Sequence, residues 1–124
     1  MENISNVDKL ETIKSFQSTI RKLEKTLATM KEKGANTNLV KKRLKASYIG
    51  LAILENVWNQ KPHQFTLEDV AEARDVLTGL FPSIENSYAK LKAGSSQRTL
   101  LERRIKAMEL AIQAIDNLFP KTSL

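Results

Sequence analysis

The chain has 124 residues, a length that suits one domain with a modest core, and its formal net charge is +6. It holds no cysteine and a single histidine, which excludes disulfides and thiol chemistry and leaves no familiar nucleophile–base pair for catalysis. The N-terminus does not resemble a secretory signal and no apolar run reaches the roughly 18 residues of a membrane span, so we expect one cytoplasmic domain over residues 1–124 with no membrane role.

Four helical segments are expected, because glycine and proline are few and leucine, lysine, glutamate and alanine are common. In the first segment, apolar residues recur at alternating spacings of three and four, which predicts a narrow apolar stripe along one helix face. The stripe consists of Ile13, Phe16, Ile20, Leu23, Leu27 and Met30. Gly34 follows at a position where a left-handed residue commonly ends a helix.

The second segment, residues 39–58, has apolar residues over most of its circumference. One stripe consists of Val40, Leu44, Tyr48, Leu51, Leu54 and Trp58, and the other of Leu39, Ala46, Ile49, Gly50, Ile53 and Val57. A helix of this kind is enclosed by neighbouring helices or by a second subunit. Glycine inside a helix costs about 1 kcal/mol relative to alanine, so Gly50 predicts the close approach of another helix.

The third segment follows a break at Pro62, and Thr66 with Asp69 resembles a capping box at its start. The apolar positions of this segment keep one helical phase through Pro82, which favours one helix kinked at that residue. Two shorter helices that meet at Pro82 are the alternative.

The fourth segment starts after a break in which Ser95 or Ser96 can cap a helix. Small and apolar residues widen its seam, which consists of Leu101, Ile105, Met108, Ile112, Ile115 and Phe119. Four segments of similar length joined by short breaks predict an all-α fold, an antiparallel four-helix bundle with up-down-up-down order.

The apolar arcs of the second and fourth segments are wider than the single seam per helix that a monomeric bundle needs. We therefore expect a homodimer formed through one of these two helices. Its predicted interface consists of Ala46, Ile49, Gly50, Ile53, Val57, Ala107, Ala111 and Ala114.

The positive charge is concentrated in two stretches of the chain. Residues 21–45 carry a net +7 and residues 83–106 a net +4, and an antiparallel bundle would bring both stretches to one end with a total of +11. Several of these cations lie in first helical turns, where the helix dipole disfavours them. The predicted partner-binding residues of this basic end are Lys31, Lys33, Lys41, Lys42, Arg43, Lys45, Lys90, Lys92, Arg98, Arg103 and Arg104.

The sequence offers little for catalysis or for a cofactor. His63 is expected at the surface, and the carboxylates of Glu68, Glu72 and Asp75 share a helix face that is better explained by solvation than by metal binding. No glycine-rich phosphate loop is present. We expect no enzyme activity, no metal site and no cofactor.

Two functions remain, and both use the basic end. Tyr48 and Tyr88 fall on apolar stripes, so stacking on bases is not expected, and any nucleic-acid binding would be weak, phosphate-driven and without sequence preference. The prediction is a non-catalytic protein-interaction module, a small cytoplasmic regulatory or adaptor protein whose basic end docks an acidic protein surface. An unspecific nucleic-acid-binding protein is the alternative.

Overall fold

A computed structural model describes residues 4–119, which form four α-helices and no strand within that range. Helix α1 spans Asn6–Glu32, α2 spans Asn38–Asn59, α3 spans Leu67–Lys90 and α4 spans Ser96–Leu118. The all-α class and the four predicted segments are thereby confirmed, and the helices pack together in a manner consistent with a bundle. The up-down-up-down order stays a prediction.

The helix ends follow the predicted local chemistry. Gly34 adopts a left-handed conformation with a φ angle of 69° directly after α1, and its N–H donates to the carbonyl of Lys31, as in a Schellman cap. At the start of α3, the hydroxyl of Thr66 accepts from the N–H of Asp69, whose carboxylate accepts from the N–H of Thr66. Ser95 caps α4 through its hydroxyl. These caps confirm the predicted end of α1 and the predicted starts of α3 and α4.

Helix α3 runs without interruption from Leu67 to Lys90 and contains Pro82 in its interior. The structure therefore has one helix where two shorter helices were the alternative. A kink at Pro82 stays a prediction.

At Gly50, helix α2 packs closely against two other helices. A Cβ atom placed on Gly50 would lie 3.0 Å from Cε1 of Phe16 on α1 and 3.4 Å from Cδ1 of Leu77 on α3. Phe16 and Leu77 are themselves buried. The predicted close approach at Gly50 is confirmed, and it involves two helices.

The connection between α2 and α3 runs back along α2. Phe65 lines a hollow together with Tyr48 and Leu51, and the ammonium of Lys45 lies 3.1 Å from the carboxylate of Asp69 in the first turn of α3. The start of α3 therefore lies beside the first half of α2.

The predicted dimer interface lies inside the single chain. Val57 is half-buried, and the other seven predicted residues are buried: Ala46, Ile49, Gly50, Ile53, Ala107, Ala111 and Ala114. Helices α2 and α4 each pack against all three other helices, whereas α1 and α3 each pack mainly against two. Because α2 and α4 form the closer diagonal of the bundle, their wide apolar arcs are used within the chain. The apolar faces on which the homodimer was predicted are therefore covered within the chain and no longer support it.

Two residues assigned to the apolar stripes of α2 are exposed. Leu39 is 57% exposed and Tyr48 is 41% exposed, and the Tyr48 hydroxyl donates to the carboxylate of Glu24 on α1. The prediction that Tyr48 is a core residue is therefore wrong. The polar hydroxyl explains the difference, because it reaches a carboxylate only from the rim of the helix interface.

Candidate anion-binding surface

The partly buried Arg104 of the predicted basic end is influenced by the positive charge of Arg43. Burial lowers the pKa of the Arg104 guanidinium, and the positive charge of Arg43 on α2 lowers it further. Within residues 4–119, neither side chain forms an ion pair with a carboxylate. Repulsion between two positive charges, one of which is partly buried, disfavours the folded state. A bound anion would reduce this unfavourable interaction.

The helical spacing of the sequence explains why these two arginines are drawn inward. Arg104 lies three and four residues before the buried Ala107 and Met108, and Arg43 lies three residues before the buried Ala46. Residues three and four apart share one helix face. Both arginines therefore extend a buried stripe of their helix and lie where that stripe reaches the surface.

Arg104 also lines a groove of about 600 Å³ between α1 and α4. Three cations lie on the α1 wall and two on the α4 wall, and they are Lys14, Arg21, Lys22, Arg103 and Arg104. Glu11 is the one carboxylate that lines this groove, and it lies 3.8 Å from the guanidinium of Arg103. The described lining thus has a formal net charge of +4, and we call it the cationic groove.

Hydroxyl groups lie among the cations of this groove. Ser15, Ser18 and Thr19 are half-buried there, and in the described part of the chain their hydroxyls take part in no hydrogen bond. By contrast, the Thr26 hydroxyl donates to the carbonyl of Lys22, four residues earlier in its own helix. Three free hydroxyls beside arginines are donors that an anion could use.

Three of the predicted binding residues have partners within the protein. Lys45 pairs with Asp69, and Arg103 lies near Glu11. The guanidinium of Arg98 lies 4.4 Å from the centre of the Tyr88 ring, and its Nε atom is buried without a hydrogen-bond partner in the described chain. Tyr88 in turn donates its hydroxyl to Glu102 at 2.6 Å. These cations are less available to a ligand than Arg43 and Arg104.

The other predicted binding residues are exposed and lie at helix ends. Lys41 lines a second hollow, of about 490 Å³, on the outer face of α2, and Lys42 lies on the neighbouring face against α3. The remaining four predicted binding residues have no described contact with Arg43 or Arg104, and they are Lys31, Lys33, Lys90 and Lys92.

Three cations of the groove were not predicted from the sequence as site residues: Lys14, Arg21 and Lys22. Lys14 and Arg21 lie seven residues apart on α1 with Ser18 between them, a spacing that places all three on one polar helix face. That pattern was readable. What it could not show is that α4 lies beside this face and supplies Arg103 and Arg104 to the same groove.

No helix in the described part of the chain is long and apolar enough to cross a membrane. Within residues 4–119, no group of three His, Cys, Asp or Glu side chains is placed to hold a metal ion.

The chain matches no protein-family model, no curated protein and no solved structure. The class is therefore defined by its own fold and surface. Residues 4–119 form four helices with a cationic groove between the first and the last.

Proposed function

We propose that this protein is a non-catalytic interaction module, a small cytoplasmic regulatory or adaptor protein, which docks an acidic segment of a partner protein on its basic surface. The observation that carries the proposal is the cationic groove, whose described lining holds five cations and one carboxylate and includes the partly buried Arg104. A carboxylate brought by a partner would form charge-assisted hydrogen bonds with the Arg104 guanidinium.

Three further cations extend this surface along α1. The α1 wall of the cationic groove holds Lys14, Arg21 and Lys22, which have no carboxylate partner among the described residues. A partner with acidic residues at several positions would meet cations on both walls. Such complementarity steers association and sets orientation more than it adds affinity.

The up-down-up-down order stays part of the proposal, but the basic surface does not depend on it. Along α1 and α4, Asp8 pairs with Lys106 and Glu11 with Arg103, so the partner number falls as the residue number rises, which is the pattern of antiparallel neighbours. Between α2 and α3, Lys45 pairs with Asp69 and Gly50 lies near Leu77, so both numbers rise together and these contacts do not support that order. The proposal therefore rests on the groove between α1 and α4.

Capture of partners from a nuclease-treated native lysate tests this function. The variant Arg43→Gln/Arg104→Gln removes the unpaired charges, and Lys9→Gln/Lys25→Gln is the control, because it makes the same change of charge outside the groove. We expect the wild type and the control to retain a protein that the arginine variant loses. A third variant, Lys31→Gln/Lys33→Gln, measures how far the surface extends toward the end of α1.

The nucleic-acid alternative has a distinct outcome in the same experiment. Captured material that disappears on nuclease treatment would replace the proposed partner with RNA or DNA. Tyr48 is the exposed aromatic side chain that could stack on a base, although its hydroxyl is bonded to Glu24. Loss of capture in Tyr48→Leu together with nuclease sensitivity would establish that alternative.

A further inference from the structure

We infer that the cationic groove binds a phosphorylated serine or threonine in the partner segment, with Arg104 as the principal phosphate-binding residue. This inference rests on the proposed function and names the chemistry of the partner. Three features around Arg104 support it: the positive charge, the hydroxyl donors and the apolar side chains.

The charge of the cationic groove fits a phosphate monoester better than a carboxylate. The described lining holds five cations and one carboxylate, and Arg104 among them is partly buried. A phosphoserine carries between about −1.5 and −2 charges at neutral pH, whereas a glutamate carries one. One phosphate group would therefore neutralise more of this positive charge than one carboxylate would.

The donors beside Arg104 also suit a phosphate group. Ser15 and Thr19 line the cationic groove and also a small crevice under Arg104, and Ser18 lies on the groove side of the same helix. A tetrahedral phosphate presents three acceptor oxygens in different directions, so it can take hydrogen bonds from guanidinium groups and hydroxyls at the same time. A planar carboxylate has two acceptor oxygens and can satisfy fewer of these groups.

The apolar part of the groove indicates a protein segment as the carrier of the phosphate. Leu23, Leu100 and Leu101 line the groove, and Leu100 is 56% exposed. Apolar side chains beside the phosphorylated residue would cover these leucines. No tryptophan, tyrosine or phenylalanine lines the described groove, so a nucleic acid would find no aromatic stacking surface there.

The test uses three short peptide libraries that differ only at one fixed central residue, which is phosphoserine, serine or glutamate. Binding to the full chain is measured by fluorescence anisotropy at a salt concentration of about 150 mM, where exposed charges are screened. We expect the phosphoserine library to bind at least about tenfold more tightly than either of the others, which corresponds to roughly 1.4 kcal/mol.

Three protein variants locate the site. Arg104→Gln should weaken phosphopeptide binding at least about tenfold, and Ser15→Ala/Thr19→Val should reduce the preference for phosphoserine over glutamate. Lys9→Gln/Lys25→Gln should bind as the wild type does. Melting curves of each variant establish that it is folded.

The outcomes separate this inference from the proposed function. Equal binding of the glutamate and phosphoserine libraries overturns the inference, while the proposed acidic partner stands. A phosphoserine library that fails to bind, or that binds Arg104→Gln as tightly as wild type, also overturns it. Tighter binding of a mixed-sequence RNA oligomer at the same residues would overturn both proposals.

Discussion

The ring of Phe16 on α1 lies directly over the backbone of Gly50 on α2, at the position where a larger side chain would begin. A Cβ on residue 50 would lie 3.0 Å from Cε1 and 3.2 Å from Cζ of this buried ring. Three helices meet at this point, because Leu77 of α3 contacts the same place.

Replacement of Gly50 by alanine should destabilise the protein by about 1 kcal/mol. Alanine gains up to about 1 kcal/mol in helix propensity, but overpacking of a buried site typically costs about 1 to 3 kcal/mol. Gly79→Ala is the matched control, because nothing lies within 4 Å of a Cβ at that helical glycine, and it should raise the free energy of unfolding. Urea denaturation measures both values. Equal stabilisation by the two substitutions would show that Phe16 does not constrain Gly50.

Truncation of Ile53 should have a large effect, because its side chain is 0% exposed in the centre of α2. Ile53→Ala should lower the free energy of unfolding by roughly 2 to 5 kcal/mol, the range found when a buried aliphatic residue leaves a cavity. Leu39→Ala on the same helix is the control, because Leu39 is 57% exposed and should change stability by less than about 0.5 kcal/mol. A loss below about 1 kcal/mol for Ile53→Ala would mean that α2 is not enclosed.

The carboxylate of Asp69 should contribute to the pH dependence of stability. Hydrogen bonds from the Lys45 ammonium and the Thr66 N–H hold the pKa of Asp69 below its ordinary value of 3.8. Because the pKa is lower in the folded state, the stabilisation is present above about pH 4 and is lost as the pH falls through the folded pKa. Asp69→Asn should therefore lower the melting temperature near neutral pH, and the difference from wild type should vanish in strong acid.

A direct titration of Asp69 distinguishes its two partners. In Lys45→Met, NMR of the Asp69 carboxyl carbon should show a pKa that rises but stays below 3.8, because the Thr66 N–H bond remains. An unchanged pKa would show that the ammonium of Lys45 has no influence in solution.

Removal of the Arg104 charge should stabilise the fold while it weakens binding. Burial and the charge of Arg43 lower the pKa of Arg104, so the charged form is disfavoured in the folded protein at every pH at which arginine stays protonated. Arg104→Met should raise the melting temperature by on the order of 2 °C, as expected for a domain of this size gaining about 0.5 kcal/mol. The control is Arg21→Met, an exposed cation of the same groove, which should leave the melting temperature nearly unchanged. A lower melting temperature for Arg104→Met would show that Arg104 stabilises the fold.

The fold could be predicted from the sequence as far as local chemistry determines it. The capping box of Thr66 and Asp69, the left-handed Gly34 and the close approach at Gly50 all follow from residue types and spacing. The wide apolar arcs of α2 and α4 were recognised, but they were assigned to a dimer. An apolar arc requires another apolar surface, and the pattern cannot show whether that surface belongs to the same chain.

The candidate site was predictable in part for a similar reason. Arg43 and Arg104 were found because cations concentrate in two stretches of the chain. The grouping of Arg104 with Lys14 and Ser15 of α1 in one groove depends on which helices lie side by side. Tyr48 was misplaced because its position follows the apolar period, while its hydroxyl requires a polar partner at the edge of the core.

The most direct test of the central claim is an NMR titration of the isotope-labelled protein at a salt concentration of about 150 mM. One sample receives a peptide rich in glutamate and leucine, and the other a mixed-sequence single-stranded oligonucleotide of equal charge. The account predicts that the peptide shifts the amide signals around Arg43, Arg104 and the α1 wall of the cationic groove, and that it saturates at a lower concentration than the oligonucleotide. Absence of these shifts with the peptide, or tighter and sequence-dependent binding of the oligonucleotide, would contradict it.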